Sequence, residues 1–452
     1  MREYADDPDY VDAPHHDDDD GIDCRTTQAN DIDPKVLDRD AKRIVMRLQN
    51  HGYEAYFVGG CVRDLMIGRV PKDFDVATSA HPNEIRRLFR NGRIIGRRFR
   101  LVHIYYGDNI VETSTFRSEP SSNGKQDDDS TELLIVEDNE FGTAREDAYR
   151  RDFTVNGLFL DPATHEIHDY VDGLRDLERR VLRTIGDPDV RMAEDPVRIM
   201  RAVKFATRLD LRIEDQTWDA MCSLAPHLEK SAPPRVLEEI LRLMRSRSAL
   251  GAFRMLRACG AMEVLLPALD DYLGPRKDPG PEASARAELM WRLLEALDSE
   301  VAVGYMPSTA VCIAVIFLPI VERECEPETR SLPGDPGELS TVAWEVIEPM
   351  AIATRLSRRE FARARRIISI QHRFLNNAAN KRFSPILFAR SEDFPEALEL
   401  FKLRVHARGQ GSDLVEGWEH RRLQALEVDE NTLDDERRKI RKRRKRRRRT
   451  KK

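Results

Sequence analysis

Disulfide and zinc chemistry have almost no raw material in this chain. Its 452 residues hold six cysteines, at 24, 61, 222, 259, 312 and 325, with no CxxC pair and no Cys/His cluster. That distribution excludes a disulfide-stapled scaffold and a zinc finger, and it reads as reduced thiols of the cytoplasm. No secretory signal opens the chain, because the N-terminus is acidic and lacks a positive stretch followed by an apolar one. Long apolar runs are missing as well. The longest, Ala310 to Val321, is broken by Pro319. It is too short to span a bilayer and suits a buried helix, so no integral membrane segment is expected. No internal repeat stands out.

Charge is what the sequence has in quantity. Charged residues make up 34% and hydrophobic residues 40%, the balance of a soluble, helix-rich protein long enough for two to four domains. The net charge of −6 hides an asymmetry: residues 437–452 carry 14 Lys/Arg and no acid, which leaves −20 on residues 1–436. An acidic body with a basic tail points to a polyanionic partner.

The chain is organised around Tyr56 to Thr78, YFVGGCVRDLMIGRVPKDFDVAT. Tyr56 to Val58 reads as a buried strand. Gly59-Gly60 lets backbone approach a ligand closely. A short helix over 62–67 ends at Gly68, and a second strand is predicted to carry Asp73-Phe74-Asp75. Alternation on that strand puts Asp73 and Asp75 on one face. Paired carboxylates repel unless a cation lies between them, and oxygen donors select Mg²⁺ or Mn²⁺. Glycines that can seat phosphates, followed by carboxylates that can seat a divalent ion, are the equipment of phosphoryl or nucleotidyl transfer.

Around this block, residues 1–32 read as an acidic leader without structure. A first helix is expected from Pro34 to His51, capped by Asp33, with Leu37, Ala41, Ile44, Val45 and Leu48 as its apolar stripe. Residues 82–90 suit a short helix. Leu101–Tyr106 and Ile110–Phe116 flank Gly107-Asp108-Asn109 as a hairpin. Glu112, charged and mid-strand, is either a third carboxylate facing the pair or an exposed residue on a half-buried strand. Arg97, Arg98 and Arg100 offer positive charge to RNA or triphosphate, or lie in solvent. Residues 118–131 have loop composition, and a helix from Thr143 leads to Arg150-Arg151-Asp152-Phe153-Thr154-Val155-Asn156. The pattern from about 210 onward is helical.

These motifs resemble those of the class II nucleotidyltransferases of the DNA polymerase β-like superfamily, which include tRNA CCA-adding enzymes and bacterial poly(A) polymerases. The GG…VRD…DFD block, RRDFTVN, the D-x-x-G-x-x-D-L segment at Asp169, Asp172, Gly173, Asp176 and Leu177, and EDPVRIMRA at 194–202 carry the likeness. The resemblance implies an α+β chain: a nucleotidyltransferase head with a mixed or antiparallel sheet, then all-α neck, body and tail. The boundaries it suggests are 33–165 for the head, 166–270 for a helical neck, 271–427 for body and tail, and 428–452 for the basic tail. It implies catalysis by Asp73, Asp75 and Asp152, with metal on Asp73 and Asp75. Nucleotide binding falls to Gly59, Gly60, Arg63, Asp64, Arg151, Asn156, Asp195 and Arg198. Asp195 is expected at a helix start with Pro196 in the first turn, where it and Arg198 share a face and read the nucleobase.

Ile94 to Tyr106 and the basic tail resemble bacterial poly(A) polymerases more than CCA-adding enzymes, and no HD-type phosphohydrolase motif is present. The implied activity is template-independent polyadenylation of RNA 3′ ends, with ATP as substrate and Mg²⁺ or Mn²⁺ as cofactor. CCA addition to tRNA is the alternative. Expected partners are single-stranded 3′ ends of mRNA and small RNA, together with RNA-decay factors. The protein is expected to be a cytoplasmic monomer.

Overall fold

The computed structural model describes residues 24–29, 32–96, 100–118, 140–325, 336–375, 383–429, 431–434 and 436–438. They form two compact units, one ending at Arg179 and one beginning at Arg180.

The first unit is built on a sheet that begins earlier than expected. Arg25–Gln28 form strand β1, within the leader expected to lack structure. Thr26 and Thr27 are β-branched, and the chain pairs antiparallel with a later strand, which supplies the ladder bonds that its composition alone does not. Residues 1–23 lie outside the described residues. Asp33 caps only a 3₁₀ turn, Pro34–Val36, and helix α1 (Arg39–Gln49) takes its cap from Asp38, whose carboxylate accepts from the Ala41 N–H at 2.7 Å. All five residues of the expected apolar stripe are buried.

Strand β2 (Ala55–Val58) leads through Gly59 into α2 (Gly60–Met66). Strand β3 spans Asp75–Thr78, so Asp73 and Phe74 precede it instead of lying on it. On the β2 side the ladder ends at the Val58–Asp75 pair, because beyond Val58 the neighbouring chain turns into α2. Phe74 packs edge-on against Phe57, with ring centroids 5.1 Å apart. Next come α3 (Pro82–Leu88), β4 (Gly92–Ile95), β5 (Leu101–Tyr106) and β6 (Asn109–Thr115), with Gly107-Asp108 as the hairpin turn. Residues 97–99 and most of the 118–131 loop lie outside the described residues. Helix α4 (Ala144–Tyr149) starts in a capping box between Thr143 and Glu146. Strands β7 (Leu158–Asp161) and β8 (Glu166–Asp169) then form a hairpin, and α5 (Gly173–Glu178) closes the unit. That hairpin keeps residues 166–179 with the sheet, so the chain divides after Arg179 and not at the expected 165.

The sheet is eight-stranded in the order β1-β8-β7-β2-β3-β6-β5-β4, antiparallel except for β3 beside β6. Helix α1 packs on β2 and β3, and α3 on β4 and β5. Phe57, Phe89, Phe116, Phe153 and Phe159 are fully buried within this unit.

Among the described residues the second unit is helical apart from a short parallel pair, β9 (Val181–Leu182) with β10 (Arg212–Ile213). Helices α6 (Pro188–Glu194), α7 (Val197–Leu209), α8 (Asp215–Leu224) and α9 (Pro233–Met244) lead it. Further helices follow, among them Gly280–Ala302, Thr309–Cys325, Phe394–Arg408 and Ser412–Glu427. Ala310 to Val321 is buried along its whole length, as its apolar run predicts. Among the described residues no helix is long and apolar enough to cross a membrane.

Candidate active site

The sheet brings the acidic motif residues to the start of β3. Val76 pairs with Thr113 in the parallel ladder, so Asp75 and Glu112, each one residue earlier, are lateral neighbours. Val76 and Thr113 are buried while Asp75 and Glu112 are exposed, which puts both carboxylates on the open face. Protein atoms crowd the Asp75 carboxylate even so. That desolvation, then the Glu112 charge, and less strongly Asp73, push its pKa up to about 6 against the pull of Arg151. Glu112 thus lies beside Asp75 and is exposed on the same face. Its other neighbour is His103, directly opposite on β5, with Nε2 3.4 Å from Glu112 Oε1.

Among the described residues, no group of three His, Cys, Asp or Glu side chains stands as a ready metal cage. The donor set nevertheless fits a hard divalent ion: it is all carboxylate oxygen, with Asp75 and Glu112 side by side on the open face.

Beside the carboxylates, Gly59 adopts φ +71° and ψ −128°. A Cβ there would lie 2.8 Å from Nη1 of Arg151. Glycine is therefore required twice, for backbone conformation and for space. Arg151 is held in that notch by Asp147, through Nη2 to Oδ2 at 2.9 Å, and lies over the Phe159 ring. Asp147 is fully buried and also accepts from Arg150 Nε at 2.9 Å. Burial alone would raise its pKa, but Arg151 and Arg150 outweigh that and hold it below the ordinary 3.8. Asp147 was not singled out from the sequence. Its spacing of three and four residues from the two arginines on a short helix is the signal that could have found it.

Asp147→Asn should therefore cost on the order of 2 kcal/mol, because it leaves the half-buried Arg150 and Arg151 guanidinium groups short of their counter-ion. The folded pKa is depressed, so Asp147's contribution is present above pH 3.8 and lost as pH falls through the lower folded value. Thermal melts should show a lower midpoint for the variant at neutral pH. An unchanged midpoint would remove Asp147 from this role.

The remaining head residues form a second network. Arg63 is 3% exposed, with Nε and Nη2 donating to Asp64 Oδ1 at 2.9 and 2.6 Å and Nη1 to Asn156 Oδ1 at 2.6 Å. Asn156 Nδ2 donates to Asp152 Oδ1 at 2.9 Å, and Asp152 Oδ1 also accepts from the Phe153 N–H. Arg63 thus ties the glycine motif to RRDFTVN from inside the protein. Asp169 caps α5 by accepting from the Val171, Gly173 and Leu174 N–H groups. A Cβ on Gly173 would lie 2.2 Å from the Thr154 carbonyl oxygen, and Thr154 Oγ1 donates to Asp176 Oδ2 at 2.7 Å. The D-x-x-G-x-x-D-L segment is therefore a buttress under RRDFTVN.

In the second unit, Asp195 closes α6 instead of starting α7, and Pro196 occupies the cap position before Val197. Asp195 and Arg198 do not pair with each other through their side chains. Asp195 receives both Nη1 and Nη2 of Arg235 on α9, at 3.1 and 2.7 Å. Arg198 Nη1 donates to Glu194 and to the Arg191 carbonyl oxygen. Arg235 is a partner that the sequence reading missed, forty residues away.

Comparison with known proteins agrees with this geometry. Residues 55–183 match the "Poly A polymerase head domain", residues 210–273 the "Probable RNA and SrmB- binding site of polymerase A", and residues 339–452 the "Polymerase A arginine-rich C-terminus". The chain is 34% identical over 413 residues to poly(A) polymerase I of Haemophilus influenzae, covering 90% of each chain. The chain belongs to the poly(A) polymerase branch of the class II nucleotidyltransferase family. It is a nucleotidyltransferase. A CCA-adding enzyme of Lactobacillus delbrueckii subsp. bulgaricus is 36% identical over 261 residues, which is 57% of this chain and 63% of that one. The crystal structure of the Bacillus stearothermophilus CCA-adding enzyme in complex with CTP superposes with a TM-score of 0.63 at 23% identity, covering 85% of this chain and 81% of that one. That likeness establishes the α+β fold, head then helices, expected from the motifs.

Proposed function

We propose that this nucleotidyltransferase extends RNA 3′ ends without a template, adding AMP from ATP. The terminal 3′-oxygen attacks the α-phosphorus of ATP, the bond from that phosphorus to the bridging oxygen breaks, and pyrophosphate leaves with its electron pair. The observation that carries the reading is the geometry: Asp75 and Glu112 lie side by side on the open face, Asp75 pairs with the Val58 that precedes Gly59, and Arg151 Nη1 fills the space at Gly59.

Asp73, Asp75 and Glu112 would hold Mg²⁺ or Mn²⁺, which when bound lowers the pKa of the 3′-hydroxyl and neutralises charge on the α-phosphate. Arg151 reaches the phosphates, its fork kept in place by Asp147. Gly59 and Gly60 let the backbone approach them. Arg63 and Asp64 act from within, through Asn156, to orient Asp152 toward the nucleotide. Asp195 and Arg198 read adenine, and Arg235 holds the Asp195 carboxylate in one orientation beforehand. The unit through Arg179 is assigned to catalysis, and the helical unit to base reading and RNA binding. The tail at 439–452, outside the described residues, would hold RNA phosphates with a salt-sensitive affinity. Six free thiols suit the cytoplasm.

Coverage of 90% of a poly(A) polymerase at 34% identity favours polyadenylation over CCA addition. The test incubates the purified protein with Mg²⁺, a generic single-stranded RNA and a tRNA lacking its 3′ end, each nucleoside triphosphate being supplied alone and then mixed. A long ladder on generic RNA with ATP alone is expected. Addition confined to C, C and A on the tRNA would replace the reading with the alternative.

A further inference from the structure

We propose that the open face of β4, β5 and β6 is the platform on which the last two or three nucleotides of the RNA lie before their end reaches the carboxylates. This rests on the polymerase reading above. The register aligns one row of side chains across the sheet: Arg93 is opposite His103, and His103 is opposite Glu112. Glu112 is in turn lateral to Asp75. Two residues along β5 from His103, Tyr105 faces the same way, opposite Ile110.

Alternation divides these strands cleanly. Val102, Ile104, Val111 and Thr113 are buried, while Arg93 and Glu112 are exposed and His103 and Tyr105 partly so. Ile95 and Ile110 on this open face are 40% and 47% exposed. The guanidinium of Arg93 lies over the Tyr105 ring, 5.5 Å from its centroid, and the His103 and Tyr105 rings are 6.3 Å apart. Planar rings, a stacked guanidinium and apolar shoulders on an open sheet form a surface that takes up unpaired bases regardless of sequence. Arg93 adds a charge suited to phosphate. The row ends at the carboxylates, so a strand lying along it delivers its 3′-hydroxyl to Asp75 and Glu112. Its fit is to single-stranded RNA: stacking does not distinguish bases, as an enzyme that extends any 3′ end requires.

The test uses the full chain with Mg²⁺ and an RNA whose penultimate base is 5-iodouridine and whose end lacks the 3′-hydroxyl. Irradiation should crosslink the RNA to the peptide holding residues 101–106. In steady-state assays with extendable RNA, Tyr105→Ala should raise the KM for RNA about tenfold, with kcat at saturating RNA and the KM for ATP near wild type. Tyr105→Phe, which keeps the ring, should match wild type. Crosslinks confined to other peptides, or an unchanged KM for RNA in a folded Tyr105→Ala protein, would overturn the platform. Extension by wild type with an unchanged Tyr105→Ala removes the platform alone. Crosslinking to residues 101–106 without extension by wild type upholds it and removes the polymerase reading. The crosslink on wild-type protein decides the matter even if the variant does not fold.

Discussion

Asp75→Asn is expected to abolish nucleotide addition while leaving the fold at least as stable as before. The loss should reach roughly 10³-fold, the ~4 kcal/mol that a direct ligand of a charge-neutralising cation supplies in a phosphoryl-type transition state. The stability side follows from the same carboxylate. Its folded pKa of about 6 lies above the ordinary 3.8, so between those values the folded protein binds a proton that the unfolded chain does not. Stability from this group is therefore present at low pH and is lost as pH rises through about 6. Asparagine cannot ionise, so the variant should lack that slope. At pH 7 Mg²⁺ should raise the melting midpoint of wild type more than that of the variant, because the ion binds the folded state alone. Primer extension together with melts from pH 4 to 7, with and without Mg²⁺, checks both halves. Extension by the variant at an appreciable fraction of wild type would end the metal assignment.

Gly59→Ala should be the next most damaging change, although it adds one methyl group. The backbone at φ +71° and ψ −128° is outside the regions an alanine occupies, and holding it there costs roughly 1–3 kcal/mol. The new Cβ would also fall 2.8 Å from Arg151 Nη1, so the guanidinium must leave the position at which Asp147 holds it. Misplacing a phosphate-binding group by about an ångström typically costs ~10²-fold in rate. We expect kcat/KM for ATP to fall by about that factor, with a lower melting midpoint. Adding Arg151→Ala removes the collision but leaves the backbone strain and takes a partner from the buried Asp147, so the double variant should recover neither stability nor activity. Wild-type kinetics in Gly59→Ala would show that the notch has no part in ATP binding.

The local features were legible because their causes are local. The buried stripe of α1, the hairpin at Gly107-Asp108 and the helix that begins at Thr143 each follow from periodicity or turn chemistry within a few residues. The same reasoning failed where a distant partner decides. Whether Asp73 lies on a strand depends on where β2 turns away, and whether residues 25–28 are ordered depends on a free edge at β8. A spacing of three residues puts Asp195 and Arg198 on one helix face, yet the partner that takes both Asp195 oxygens is Arg235 on another helix. Arg63 reads as a phosphate ligand from its place after two glycines. Its burial against Asp64 and Asn156 makes it an internal tie.

By itself the sequence determined the chemistry: glycines, carboxylates and arginines in an order that suits nucleotidyl transfer, on a head followed by helices. Those are properties of residue type and spacing. Tertiary structure alone decided which charges meet. Only the parallel pairing of β3 with β6 puts Glu112 beside Asp75, and only the folded position of α4 lets Asp147 hold Arg151 against Gly59. Electrostatic energy depends on distance and burial, and a linear order of residues specifies neither until the chain has closed on itself.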